Sequence, residues 1–206
     1  MDSQKTVGQK IWKVIRFLLI MAVVLTVLFI AYEIFFFFHG FTKNLSTADL
    51  SKYTEYLEIY NEDIHNANYT LKYMPMLKDC GEYTEGVIAV RRHWSMFSFD
   101  SYALFLSYEP EQYKKMKEEL TDSTVFISEA TKTFRDIEAE WNGYSVRPVD
   151  LPDEKDRGDV KRCLFLGFDD DAHRILFALY NDFETDFIYD LNKTLTYYFF
   201  IPKELK

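Results

Sequence analysis

The stretch 17-FLLIMAVVLTVLFIAYEIFFFF-38 decides how the rest of the chain is interpreted. It holds 22 residues, and only Thr26 and Glu33 interrupt its apolar side chains. As a helix rising about 1.5 Å per residue it reaches about 33 Å, close to the ~30 Å hydrocarbon core of a bilayer. A lone strand in lipid is excluded because its backbone amides would stay unpaired. The stretch therefore predicts a membrane-spanning helix over residues 17–38, with the lipid bilayer as its partner.

The charges beside the span predict its orientation. Four basic residues precede it, whereas the twenty residues after it contain only Lys43 and Lys52. The positive-inside rule therefore predicts residues 1–16 as a cytoplasmic tail and residues 39–206 outside the cell. A cleaved signal peptide is the alternative, but its apolar region is usually about 7–15 residues long and ends at small residues. We therefore favour an uncleaved, single-pass signal-anchor in the plasma membrane.

The composition excludes several classes of protein and of partner. Of 206 residues, 48% are hydrophobic, and 7 Gly and 5 Pro are too few for a low-complexity or collagen-like chain. The net charge is −9, and it is −11 in residues 39–206, since the first 38 hold four basic and two acidic side chains. This balance argues against nucleic acid as a partner, because phosphate binding needs a basic surface.

Beyond the span, the hydrophobic periodicity predicts one α+β domain over residues 47–206, preceded by a polar linker at 39–46. Its expected architecture is an antiparallel sheet with packing helices. The predicted helices run from Ser46 or Thr47 to Ile64, over 111–120 behind Pro110, over 134–141, and from Phe187 to Phe199. The predicted strands cover residues 82–94, 102–108, 144–149, 162–168 and 174–180.

Familiar catalytic motifs are absent from the sequence. It has no Gly-rich dinucleotide or phosphate loop, no H-E-x-x-H pair and no C-x-x-C pair. Gly143-Tyr144-Ser145-Val146-Arg147 lacks the closing glycine of a nucleophile elbow. We therefore expect no cofactor, and an enzymatic activity is the less favoured hypothesis.

Cys80 and Cys163 allow two interpretations. Outside the membrane they can form a disulfide that closes a long loop, worth about 4–5 kcal/mol in the chain-entropy model. Alternatively they are two buried thiols, because Cys163 lies within an apolar strand where a small hydrophobic residue fits.

Two polar clusters are candidate sites. Asp169 and Asp171 with His173 offer hard ligands to a divalent cation, although aspartate is also a common turn residue. The run from Arg91 and Arg92 through His93 and Trp94 closes a predicted strand and forms a compact basic cluster in an acidic domain. It is a candidate for binding an anionic ligand or a carboxylate of a partner. Its alternative role is a solvated strand end whose charges discourage edge pairing.

The order of several segments resembles a known kind of protein. These are the segments 50-LSKYTEYL-57, 74-MPML-77, 102-YALFL-106 and 113-YKKMKEEL-120, following a single span. The chain is similar in this respect to uncharacterised membrane-anchored extracytoplasmic proteins of low-GC Gram-positive bacteria. The resemblance implies a location and a bacterial source, and it brings no known active site.

Three functions are compatible with these observations. The first is a non-catalytic extracytoplasmic module that binds another membrane protein or an envelope component. The second is a membrane-tethered, metal-dependent hydrolase centred on Asp169, Asp171 and His173. The third is an accessory or sensor subunit that acts through its span. The missing catalytic motifs favour the first.

Overall fold

The fold is taken from a computed structural model, which describes residues 2–59, 72–95, 98–129, 134–151, 161–182 and 190–205. Two predicted helix ends, at Ile64 and Phe187, lie outside these residues. The chain forms two compact units, Met1–Phe41 and Thr42–Lys206.

The first unit is one long helix, α1, which runs from Asp2 to His39. Within it, Trp12–Phe37 is long and apolar enough to cross a membrane, and the described part of the chain contains one such helix. Side chains from Trp12 to Phe37 are exposed, as expected of a helix whose apolar surface is meant for lipid. The predicted helix is confirmed, and it begins well before Phe17.

The second unit is built on a seven-stranded sheet with the strand order β1-β2-β3-β7-β6-β5-β4. The pairs β2–β3, β3–β7, β7–β6, β6–β5 and β5–β4 are all antiparallel. Together with the helices below, this sheet confirms the predicted α+β class. The strands are β1 (Phe41–Thr47), β2 (Glu85–Trp94), β3 (Phe99–Ser107), β4 (Ala139–Trp141), β5 (Tyr144–Val149), β6 (Lys161–Asp169) and β7 (Arg174–Asp182).

Both faces of the sheet carry a core, because side chains alternate along each strand. The first face is covered by α2 (Tyr53–Glu58) and α3 (Pro110–Ser123), which contribute Tyr53, Leu57, Tyr113 and Met116 to its core. The second face is covered by α4 (Leu191–Tyr198), which contributes Leu191, Leu195 and Tyr198. Residues 175–180 of β7 are buried on both faces, which explains why this strand reads as a continuous apolar run.

Two predictions near the first helix are wrong. Residues 39–46 are not a linker, because β1 lies there and forms the sheet edge beside β2. The helix after it is also capped later than expected. Asp49 accepts a hydrogen bond from the Ser51 amide, a single 3-10 turn spans Leu50–Lys52, and α2 follows.

The short helix predicted over residues 134–141 is also wrong. Ala139–Trp141 is strand β4, paired directly with β5 so that Trp141 faces Tyr144. Between them, Asn142 and Gly143 have φ values of 52° and 89°. Two left-handed residues in a two-residue loop are the requirement of a type I′ hairpin turn, which Asn-Gly satisfies. The Asn-Gly pair was the sequence signal for this hairpin.

Phe165 is the residue whose truncation should test the second-face core. It is fully buried, and its ring lies 5.6 Å from Phe134, 5.8 Å from Tyr180 and 6.0 Å from Phe199 between centroids. We expect Phe165→Ala to lower the free energy of unfolding by about 3–5 kcal/mol, because it leaves a cavity in a packed core.

Chemical denaturation of the full chain in detergent micelles measures this change. The control is Val125→Ala, because Val125 is 67% exposed and its truncation should change stability by less than about 0.5 kcal/mol. Similar losses in the two variants would contradict the proposed core.

Candidate functional site

The basic cluster predicted at residues 91–94 is split between the two faces of the sheet. Arg92 and Trp94 alternate in step with Val90 on the first face, whereas Arg91 and His93 point to the second face beside α4. Consecutive side chains on a strand diverge. The four residues therefore do not form one binding site.

Arg91 connects elements of the second unit. Its Nε donates to Asn44 Oδ1 at 2.9 Å, its Nη1 donates to the Tyr197 carbonyl at 2.6 Å, and its guanidinium lies 5.3 Å from the centroid of the Phe200 ring. Burial lowers the pKa of Arg91. These contacts join β1, β2 and the end of α4, so the side chain has a structural role.

His93 is buried, with 8% of its surface exposed. Its Nδ1 lies 2.8 Å from the Thr42 hydroxyl, and its ring stacks on Phe99 with centroids 5.4 Å apart. Burial lowers the pKa of His93, and the nearby positive charge of Arg91 lowers it further. Both effects favour the neutral form of the imidazole.

Arg92 belongs to a polar row that the sequence alone did not reveal. Its Nε lies 3.3 Å from Asp100 Oδ1, and its guanidinium lies 5.2 Å from the Trp94 ring centroid. Asp100 is opposite Arg92 in register, Asn181 is opposite Asp100, and Arg162 is opposite Asn181. Asp100, Asn181 and Arg162 are all buried. The row ties four strands together at one end of the sheet.

The aspartate cluster forms a turn. Asp169 Oδ1 accepts a hydrogen bond from the Ala172 amide at 2.9 Å, and His173 has a φ of 52°. Asp170 accepts hydrogen bonds from Tyr113 at 2.5 Å and from Lys117 at 2.6 Å, and these bonds lower its pKa. Asp171 is exposed.

This arrangement does not bring the predicted metal ligands together. Among the described residues no three His, Cys, Asp or Glu side chains are grouped to hold a metal ion. Asp169, Asp171 and His173 diverge because the hairpin turns within these positions, as aspartate-rich turns do. These three residues therefore give the hydrolase alternative no grouped set of metal ligands, and that alternative stays a prediction.

The two cysteines remain thiols. Cys80 is buried in the first-face core, where its Sγ donates to the Met76 carbonyl at 3.4 Å and burial raises its pKa to about 12. Cys163 packs against the second-face core. Because the sheet separates them, the disulfide alternative is not realised.

A cavity of about 730 Å³ lies on the second face, between α4, the β4–β5 hairpin and the C-terminal segment. We name it the second-face cavity. Aromatic and aliphatic side chains share its lining with two amide groups, two hydroxyl groups, one carboxylate and one basic side chain. The lining residues are Glu140, Trp141, Asn142, Tyr144, Arg174, Asn192, Thr196, Phe199, Phe200, Ile201 and Leu205.

Arg174 and Tyr144 are two neighbouring polar residues of this lining. The Tyr144 hydroxyl and Arg174 Nε are shielded from solvent and lack a well-aligned partner, although the Arg174 guanidinium is near enough to act on the Tyr144 hydroxyl by hydrogen bonding. Burial raises the pKa of Tyr144 to about 12, while the Arg174 guanidinium and Asp169 act on it in opposite directions. The hydroxyl is therefore protonated and uncharged, and it can donate or accept a hydrogen bond.

Sequence reasoning missed this site. The sequence patterns predict Arg174 and Tyr144 only as the first residues of two strands, and Tyr144 also belongs to the incomplete nucleophile motif. They meet because both lie on the second face, where β5 and β7 flank β6. A sequence pattern can place each residue on a strand, but the strand order that unites them is a tertiary property.

The pH dependence of stability should report the buried state of His93. Below about pH 6.5 the unfolded chain takes up a proton on this residue that the folded chain resists, so stability falls as the pH drops through that range. We expect His93→Gln to lose less stability than the wild-type chain between pH 7.5 and 5.5, measured by chemical denaturation.

His39→Gln is the control, because His39 is exposed and its replacement should preserve the wild-type difference. An identical pH dependence in His93→Gln and the wild-type chain would contradict the assignment.

Comparison with protein-family models, with curated proteins and with solved structures finds no match to this chain. The second-face cavity is therefore interpreted from its own geometry and chemistry.

Proposed function

We propose that this chain is a membrane-anchored, non-catalytic binding module whose second-face cavity receives part of an envelope component or of another membrane protein. The observation that carries the proposal is the cavity itself. Its volume of about 730 Å³ lies within the ~300–1,000 Å³ typical of ligand sites, and its walls combine aromatic surface with a few polar groups.

The chemistry of the lining favours binding over catalysis. The described cavity lining contains no His, Cys or Ser, and its one carboxylate residue is Glu140. Nucleophilic catalysis needs a nucleophile beside a base, and general acid–base catalysis needs a titratable group in reach of the substrate. Aromatic rings, amides and a guanidinium instead supply stacking and hydrogen bonds.

We further propose that the module lies outside the plasma membrane, with its N-terminus in the cytoplasm, as in the bacterial anchored proteins that the sequence resembles. The apolar helix Trp12–Phe37 and the four basic residues that precede Phe17 support this orientation. The acidic charge of the domain keeps it away from anionic lipid headgroups.

Cysteine labelling tests the orientation. In intact cells, a membrane-impermeant maleimide should modify Glu119→Cys, because this α3 side chain is 58% exposed. Ser3→Cys, in the predicted cytoplasmic tail, should react only after the cells are opened. The unsubstituted chain gives the background from its two native thiols. The reverse labelling pattern would contradict the orientation.

Site-specific photo-crosslinking tests the binding surface. A photoreactive amino acid in place of Asn192, an exposed residue on the cavity lining, should give a discrete adduct in living cells. The same substitution at Glu119, which lies on α3 over the opposite face of the sheet, is the control and should give none. Equal crosslinking at the two positions, or none at Asn192, would contradict the proposal.

A further inference from the structure

We infer that the second-face cavity binds a ligand that carries one carboxylate beside an apolar group, with Arg174 holding the carboxylate. This inference rests on the proposed binding function and specifies its chemistry. Three observations support it: Arg174 has no ion-pair partner, the cavity lining contains one basic and one acidic side chain, and its walls are aromatic.

Arg174 is a cation without a counter-charge at contact distance. Among the described residues, no carboxylate oxygen lies within the 4.0 Å of an ion pair with it, and its buried Nε has no hydrogen-bond partner of good geometry. Asp169 is its opposite residue in the β6–β7 register, and its Oδ1 accepts from the Ala172 amide, but its oxygens lie beyond the ion-pair distance from Arg174. A partly buried guanidinium that lacks an ion-pair partner favours the binding of an anionic ligand.

Three other cations of the domain are engaged. Arg92 pairs with Asp100, Lys117 pairs with Asp170, and Arg91 donates to two oxygen atoms of the protein. Arg174 differs because it lines the second-face cavity, and its buried Nε has no well-aligned acceptor there. In a domain of net charge −11, this side chain provides the local positive potential that an anionic group requires.

The lining favours a monoanionic carboxylate over phosphate. Arg174 is the single basic residue among the cavity residues, and Glu140 is acidic. A guanidinium matches a carboxylate through two parallel N–H···O bonds, so one arginine suffices. A phosphate dianion usually requires several donors or cations, and the surrounding acidic domain disfavours the second charge.

The remaining walls describe the rest of the ligand. Trp141, Phe199 and Phe200 present aromatic surface, and Ile201 and Leu205 add aliphatic surface. Asn142 and Asn192 offer amide groups that can bond to a peptide-like unit. An apolar amino acid with a free carboxylate can pair with Arg174, pack against the apolar walls and bond to the amides. Such a group is found at the end of a peptide or in a free N-acylated amino acid.

Matched acids and amides test the inference. Isothermal titration of the full chain in uncharged detergent micelles compares N-acetylphenylalanine with N-acetylphenylalaninamide, which differs only in lacking the carboxylate charge. We expect the acid to bind at least about tenfold more tightly, the effect of about 1.4 kcal/mol from a charge-assisted bond. The acetyl-Gly-Gly-Phe acid and amide pair and inorganic phosphate complete the set.

Variants assign the effect to Arg174. Arg174→Met should abolish the preference for the acid, and Arg174→Lys should retain part of it because the charge remains without the planar fork. Arg147→Met is the matched control, since Arg147 lies over the Phe126 ring at 4.2 Å, away from the cavity, and should keep the full preference. Thermal unfolding establishes that each variant is folded. If Arg174→Met does not fold, the comparison of acid and amide binding to the wild-type chain still tests the inference.

The outcomes separate the inference from the proposed function. Equal affinity for acid and amide, or tighter binding of phosphate than of either acid, overturns the inference. If both acids fail to bind while crosslinking at Asn192 persists, the inference fails and the binding function survives. A tighter tripeptide acid supports the inference with a peptide end as the source, and equal affinity of the two acids supports it with a free amino acid derivative.

Discussion

The hydrogen-bonded pairing of β7 with β3 on one side and β6 on the other is the constraint on which the second unit depends. These pairings fix two registers. In the β3–β7 pair Phe99 lies opposite Asp182, and in the β6–β7 pair Asp169 lies opposite Arg174. Because side chains alternate along a paired strand, these registers decide which residues enter each core. A shift by one position would exchange the two faces, which would place Arg174 among the first-face side chains and Asn181 among the second-face side chains.

The same registers distribute the charges. At one end of the sheet they align Arg92, Asp100, Asn181 and Arg162 into a buried polar row on the first face. At the other end they bring Arg174 beside Tyr144 on the second face. Buried charges need partners. In the row, Arg92 pairs with Asp100, whereas in the cavity the Nε of Arg174 has no well-aligned acceptor and is a donor that a ligand can use.

Much of the architecture could be predicted because local chemistry decides it. The apolar run from Phe17 predicts its helix, Pro110 marks the start of α3, and the apolar runs ending at Phe168 and Tyr180 predict two buried strands. The errors arose where two local patterns compete. The spacing of Phe134, Ile137 and Trp141 fits a helix. The Asn142-Gly143 turn instead places Trp141 in a β-hairpin strand.

The sequence by itself determined the membrane-length helix, the acidic α+β domain and the absence of familiar catalytic motifs, because these depend on composition and on short-range periodicity. Only the tertiary structure decided the site. It separated Arg91 from Arg92, placed Cys80 and Cys163 on opposite faces, and joined residues of β4, β5, β7 and α4 around one cavity. The physical reason is that strand order and register, which no local pattern encodes, decide which distant side chains share a face.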